Sequence, residues 1–394
     1  MRAEELFRSP NPLAPRYRAF RVEERVLLSG HSHQAWPDCA RDGQLEAWDD
    51  AARLVDGKWE RAFAKADRVR RGYAALLDDT DGEYALAAGT HDLLVRLLSA
   101  LPLRRRPRLV TTDGEFHSIR RQLDRLAEEG IAVVKVKADP ADSVAERLAA
   151  EVTDQTAAVL VSAVFFHNAH RVPHLGGLAA RCARHGVELV VDAYHAVNVA
   201  PFSVRAEGLG DAFVTGGGYK YCQLGEGNGF LRIPPGRSLR PVITGWFSEF
   251  TALSAKRHDG VAYGQGPDRL AGATYDPVSH YRAAAVFDFF AREGLTPALL
   301  REVSQHQVGR LMARFDALDL DPAVIRRDRT TPLERVAGFL ALTAPRAGEL
   351  SAALLARGVY TDYRGEVLRL GPAPYLSDAQ LDVAIAHLGE VARA

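Results

Sequence analysis

VELVVDAYHAVNVAPFSVRAEGLGDAFVTGGGYK, residues 187–220, is the stretch from which the fold is read. An apolar run, Val187 to Val191, has the length and β-branched content of a strand buried on both faces, and it delivers Asp192 at its end. A second short run, Ala212 to Thr215, leads into three glycines and then Tyr219 and Lys220. An acid at one strand end and a lysine just past the next place two ionisable groups on one edge of a sheet. In an open α/β sheet that edge is where ligands bind.

Working outward, the same rhythm continues on both sides. Upstream, the apolar spacing predicts helices over 44–77, a strand over 84–88 and a helix with Leu93, Leu94, Leu97, Leu98 and Leu101 on its buried side. Strands then follow over 108–112, 132–136 and 157–164, alternating with helices over 118–129, 143–152 and 178–185. Downstream, 229–233 reads as a strand turning back. Helices over 279–292 and 297–317, a strand over 335–342, a helix over 347–357, a strand over 367–370 and a last helix from Asp378 complete the chain. Alternation of this kind predicts an α/β fold with a mostly parallel sheet in a large domain, 44–258, and a smaller α+β C-terminal domain, 259–394. An irregular arm, 1–43, rich in proline and arginine, is expected to pack with the small domain.

Composition narrows the function classes. The 394 residues are 47% hydrophobic, enough for a large core, and 50 basic residues balance 50 acidic ones. That balance gives no field for nucleic acid or an anionic membrane surface, so a small molecule is the expected partner. No apolar run approaches the roughly 20 residues a membrane span needs. The first thirty residues are broken by charge and proline, unlike a secretory signal, which points to a cytoplasmic protein. Three scattered cysteines, Cys39, Cys182 and Cys222, suggest neither a disulfide framework nor a metal site.

The candidate site residues gather at the predicted strand ends. Gly89-Thr90-His91 opens a helix, whose free N–H groups and dipole favour phosphate, although Thr90 also reads as a plain N-cap. Phe116 follows a strand, where it can stack on a flat ring or belong to the core. Ser162 ends another. His195, three residues after Asp192, can donate to a ligand or be structural. Arg369, between apolar residues in VLRLGPAPY, can pair a carboxylate with its planar fork or face solvent. A strand-end acid and a lysine inside a glycine run are the groups that pyridoxal 5'-phosphate needs: a carboxylate for the ring nitrogen and an amine for the aldehyde.

Taken together, Asp192-x-x-His195, Tyr219-Lys220 in YKY, Gly245-Trp246-Phe247 and the segment GVYTDYRGEVLRLGPAPYLS (358–377) resemble kynureninase, in the class V aminotransferase-like group of fold type I pyridoxal phosphate enzymes. The resemblance covers roughly residues 80–390. It implies that Lys220 binds the cofactor aldehyde and later acts as base, with Asp192 at the pyridinium nitrogen. It also implies Phe116 stacked on the ring, Ser162 and His195 on its polar side, and Thr90, His91, Tyr219 and Trp246 around the phosphate. Arg369 would take the α-carboxylate of an amino-acid substrate, with His31 and Ser32 of the arm beside it. Tyr219 would deliver protons, and Thr274 would complete the site of a neighbouring subunit in a homodimer. The reaction implied is hydrolytic Cβ–Cγ cleavage of L-kynurenine or a related amino acid to alanine and an aromatic acid.

Departures from that pattern fall in the arm and loops of the substrate side and, at one position, near the pyridinium nitrogen. Ile119 stands where kynureninases carry an Asp. Gly30-His31-Ser32-His33 replaces their GNSLG-like arm, Phe165–His170 (FFHNAH) replaces V-N-Y-R-T-G, and Gly272-Ala273-Thr274 precedes a one-residue insertion. The alternatives are a pyridoxal-phosphate C–S lyase, an aminotransferase on a different amino acid, or a non-catalytic protein of the same fold. A desulfurase that needs a loop cysteine is disfavoured, since no cysteine follows Cys222.

Overall fold

The computed structural model describes residues 1–252 and 260–394. The expected boundary between 258 and 259 lies outside the described residues. Helices α1 (Ala3–Leu6), α2 (Cys39–Leu54) and α3 (Lys58–Leu76) precede the main sheet, with the short strand β1 (Val26–Leu27) between α1 and α2. Alternation follows through β2 (Glu83–Ala87), α4 (Thr90–Ala100), β3 (Arg108–Thr112), α5 (His117–Glu128), β4 (Ala132–Val136), α6 (Val144–Ala150), β5 (Thr156–Ser162) and α7 (Leu175–Arg184). Then come β6 (Glu188–Asp192), β7 (Phe213–Gly217) and β8 (Gly229–Ile233). The remainder comprises α8 (Val278–Glu293), α9 (Pro297–Asp316), β9 (Arg326–Arg327), β10 (Leu340–Thr343), α10 (Ala347–Leu355), β11 (Val359–Tyr360), β12 (Asp362–Arg364), β13 (Val367–Leu370) and α11 (Asp378–Arg393).

Seven strands form one sheet in the order β2-β8-β7-β6-β5-β3-β4. All pairs are parallel except those of β8, which runs against both β2 and β7. Alternate residues of each central strand enter opposite cores. Leu109, Leu160, Val190 and Phe213 pack against Leu93, Leu97 and Leu123 of α4 and α5, while Val110, Val161, Val191 and Val214 join the larger core on the other face. Helices on both faces explain why these strands read as continuous apolar runs. Ile119 is 1% exposed in the first of these cores, a packing residue rather than a cavity residue.

Register fixes the level of the strand ends. Ser162 pairs with Asp192, and Asp192 with Thr215, so β5 and β6 finish side by side and β7 runs two residues further. The opposite edge of the sheet, where β2 and β7 begin, is held by a buried ion pair. Arg232 of β8 donates from Nε to Asp79 Oδ2 (2.9 Å) and from Nη2 to Oδ1 (3.1 Å), and Tyr84 Oη also donates to Asp79 Oδ2 (2.7 Å).

The C-terminal strands form an antiparallel sheet, β12-β13-β10-β9, and β1 pairs in parallel with β11. Asn11 Nδ2 donates to the Pro374 carbonyl (2.9 Å) and Gln380 Nε2 to that of Val22 (2.8 Å), so the arm lies along the C-terminal elements. The strand expected over 335–342 is shorter. Residues Leu333–Arg335 form a 3-10 turn and only Leu340–Thr343 pairs in the small sheet. The reason is where the intervening backbone bonds go: Arg171 N–H donates to the Arg335 carbonyl (3.0 Å) and Ala337 N–H to that of Ala169 (2.9 Å). That stretch is bonded to the loop after β5 instead.

Candidate active site

The carboxyl ends of β2, β3, β5, β6 and β7 surround a cavity of about 190 Å³. Its walls carry Thr90, His91, Phe116, Ser162, Asp192, His195, Tyr219 and Lys220, eight of the residues expected from sequence. Each arrives by its strand. Gly89 is the N-cap of α4, which directs the first free N–H groups of that helix at the cavity. Gly229 passes so close to this turn that a Cβ on it would lie 2.6 Å from the Gly89 carbonyl carbon. Phe116 is the N-cap of α5, in edge contact with Phe166 (ring centroids 5.3 Å, interplanar angle 81°).

Lys220 is 5% exposed, and burial pushes its amine down to about 7, with the nearby Asp192 carboxylate opposing that shift and the Arg369 cation adding to it. Its Nζ lies 2.7 Å from His195 Nε2, 4.4 Å from the centre of the Tyr194 ring and 5.3 Å from that of Phe116. Burial first, and then the Lys220 charge, hold His195 well below its usual value, so the ring is neutral. Its Nδ1 is buried without a partner among the described residues. Asp192 Oδ1 accepts from the Tyr194 N–H (2.8 Å), and burial raises its carboxyl. Tyr219 is half-buried beside Tyr194 and stacked on His33 of the arm (5.0 Å, 21°).

Arg369 is buried off the cavity wall. Nη2 donates to Asp362 Oδ2 (2.6 Å), Nη1 to the Phe166 carbonyl (2.7 Å), and Nε has no partner among the described residues. It therefore does not face solvent. His31 is fully buried, tilted against Phe339 (4.6 Å), with Nε2 3.7 Å from Asp362 Oδ2. Ser32 Oγ is 3.1 Å from His33 Nδ1.

Five expected residues do not line the cavity within one chain: Arg369, His31 and Ser32, and with them Trp246 and Thr274. Trp246 is 45% exposed, stacked on Phe247 at 4.4 Å, and Thr274 is exposed on the segment that Phe247 N–H binds through the Gly272 carbonyl (3.0 Å). The glycine run before Lys220 makes room for protein side chains. A Cβ on Gly217 would lie 2.4 Å from Tyr194 Oη, and one on Gly218 2.7 Å from Leu224 Cβ.

Sequence reasoning passed over Tyr194, Phe166, Ser118 and Glu115. The first three line the cavity. Glu115 lies beneath it, 2% exposed, accepting from Thr112 Oγ1 (2.7 Å), Ser162 Oγ (2.6 Å) and Ser162 N–H (3.2 Å). Only its place between a strand and Phe116 hinted at this.

No protein-family model matches the chain, and no curated protein matches it by sequence. Solved structures do match in shape. A lysine-to-alanine mutant of C-DES with glycine covalently linked to its PLP cofactor is 15% identical, covering 96% of this chain and 100% of that one with a TM-score of 0.81. The apo cysteine desulfurase of Thermococcus onnurineus NA1 is 19% identical over 100% of this chain and 99% of its own, TM-score 0.81. The cystine C–S lyase C-DES with its product cysteine persulfide is 16% identical over 94% and 98%, TM-score 0.81. The fold is that of the fold type I pyridoxal phosphate enzymes. Within this fold, the cavity at the strand ends is where the ligand-binding edge of the sheet lies.

Proposed function

We propose that this protein is a pyridoxal-phosphate-dependent enzyme that breaks a bond at the β-carbon of an amino acid, and that the bond is carbon–sulfur. The observation that carries the cofactor is Lys220, a buried amine brought to about 7, across one cavity from the buried acid Asp192. The donor set suits the group: an aromatic face from Phe116, free N–H groups at Gly89–Thr90, and an unpartnered His195 Nδ1. Asp192 would hold the ring nitrogen's proton, Lys220 the aldehyde, and Thr90, His91 and Tyr219 the phosphate.

When bound, the cofactor supplies an electron sink for charge left at the substrate's α-carbon. Lys220, neutral in much of the population near pH 7, is suited to take the α-proton. His195 Nε2 keeps Nζ oriented. Arg369 would receive the α-carboxylate through Nε and by sharing its Asp362 contact. Phe116, Phe166 and Tyr194 keep water from the amine.

Carbon–sulfur cleavage is supported by the similar structures, a cystine C–S lyase and a cysteine desulfurase, and the cysteines bear on where the sulfur would go. Cys39, Cys182 and Cys222 do not line the cavity, and burial pushes the Cys222 thiol up to about 12. A sulfur carrier on the protein is therefore not part of the reading; the sulfur leaves with the product. A second reading, kynureninase-type hydrolysis, rests on Tyr219-Lys220 and on Arg369 in its C-terminal segment. We also propose a homodimer in which Trp246 and Thr274 serve the second copy's site, and we keep the division into 1–43, 44–258 and 259–394.

The test is to load purified protein with pyridoxal phosphate and supply L-cystine, L-cysteine or L-kynurenine. Pyruvate with a persulfide or sulfide supports the lyase; alanine with anthranilate supports the second reading. Wild-type protein without a Lys220-dependent absorbance band sinks both.

A further inference from the structure

Glu115 is unused by the reading above, yet its surroundings are built for it. The carboxyl is enclosed between the end of β3 and the end of β5, and it takes the hydroxyl protons of Thr112 and Ser162. Thr112 Oγ1 is itself fixed, since it accepts from the Gly114 N–H (3.2 Å). Ser162 Oγ is thus the one variable link between this carboxyl and the cavity it lines. A hydroxyl has one proton and two acceptor positions, so where that proton points decides what the cavity meets.

We propose that Glu115 is a positioning residue that sets the polarity of Ser162. As a carboxylate it takes the Ser162 proton and leaves Ser162 an acceptor toward the cavity. As a carboxylic acid it donates to Ser162 Oγ, and the Ser162 hydroxyl turns to donate into the cavity. In passing from the second state to the first, the Glu115 proton moves to Ser162 Oγ as the Ser162 proton moves to an oxygen bound there, so one proton is relayed and the cavity oxygen gains it. This deepens the cofactor reading and rests on it, because the cofactor carries an ionisable ring hydroxyl whose state the relay would set.

The charged groups agree with that role. Asp192 from β6 is the carboxylate whose charge acts on Glu115; among the described residues no cation offsets it there, and the Lys220 charge acts on Asp192 instead. Burial, with Asp192 adding to it, raises the Glu115 carboxyl to about 7, so both states are populated at neutral pH.

The experiment compares wild type with Glu115→Gln, which keeps the shape and an acceptor for Ser162. Without cofactor, difference infrared spectra between about pH 6 and about pH 8 are expected to show a protonated-carboxyl band that the variant lacks. With pyridoxal phosphate, the absorbance titration midpoint is expected to move by roughly one pH unit or more in the variant. An infrared difference unchanged by the substitution, or identical titrations in two loaded proteins, overturns the inference. If wild type binds no cofactor through Lys220, the functional reading fails and the infrared comparison alone decides the role of Glu115.

Discussion

Lys220→Met tests the cost of holding an amine in this cavity. Lys220 is 5% exposed and its amine falls from 10.5 to about 7, a gap worth about 5 kcal/mol between its charged and neutral forms. The sign follows from proton counting. Between pH 7 and 10.5 the folded chain binds fewer protons at this site than the unfolded one, so stability rises with pH through that window. Below it the whole cost is present; near pH 9, about 2 kcal/mol remains. Met fills a similar volume without a charge. Asp192 then loses its neighbouring cation and, being buried, favours its protonated form, which takes back part of the gain. The expected result is a cofactor-free variant about 3–5 kcal/mol more stable than wild type near pH 6.5, the gap shrinking to about 2 kcal/mol or less near pH 9. Urea unfolding at both pH values measures it, with midpoints compared at matched slopes. A variant no more stable at the lower pH, or a gap that does not shrink, would refute the argument that burial sets the reactivity of this lysine.

Further outcomes are expected elsewhere. Arg369→Lys removes the planar fork that holds Asp362 and the Phe166 carbonyl, and a fall of about 100-fold in kcat/KM with a raised KM is expected; steady-state kinetics checks it. Arg232→Met leaves Asp79 buried without its cation, a loss of about 3–5 kcal/mol that calorimetry should read as about 5 °C in Tm. Gly217→Ala sets a Cβ 2.4 Å from Tyr194 Oη, so Tyr194 must move; about 1–3 kcal/mol of overpacking and a weakened Lys220-dependent absorbance band are expected.

Much of the fold was legible because its signals are local. Strands buried on both faces write themselves as unbroken apolar runs, and Glu188–Asp192 and Phe213–Gly217 lie within a residue or two of their expected bounds. The strand expected over 335–342 went wrong for a non-local reason, its backbone being bonded to residues 169–171. The same division runs through the site. Asp192, Lys220 and Phe116 stand at strand ends, where topology alone predicts a ligand edge. Arg369 was harder to place, since alternation in a short strand does not say which face is covered; the cover is Asp362 and Phe166, seven and 203 residues away.

The sequence by itself determined the alternation of strands and helices, the parallel sheet and the acid and amine at its edge, because periodicity and chain polarity carry that information. Tertiary structure alone decided the rest. It made the glycine run a berth for Tyr194 and Leu224, turned Ile119 into core, set His195 against Lys220 and buried Glu115 under Ser162. Each depends on which side chain another element brings within a few ångströms, and no window of sequence contains both partners.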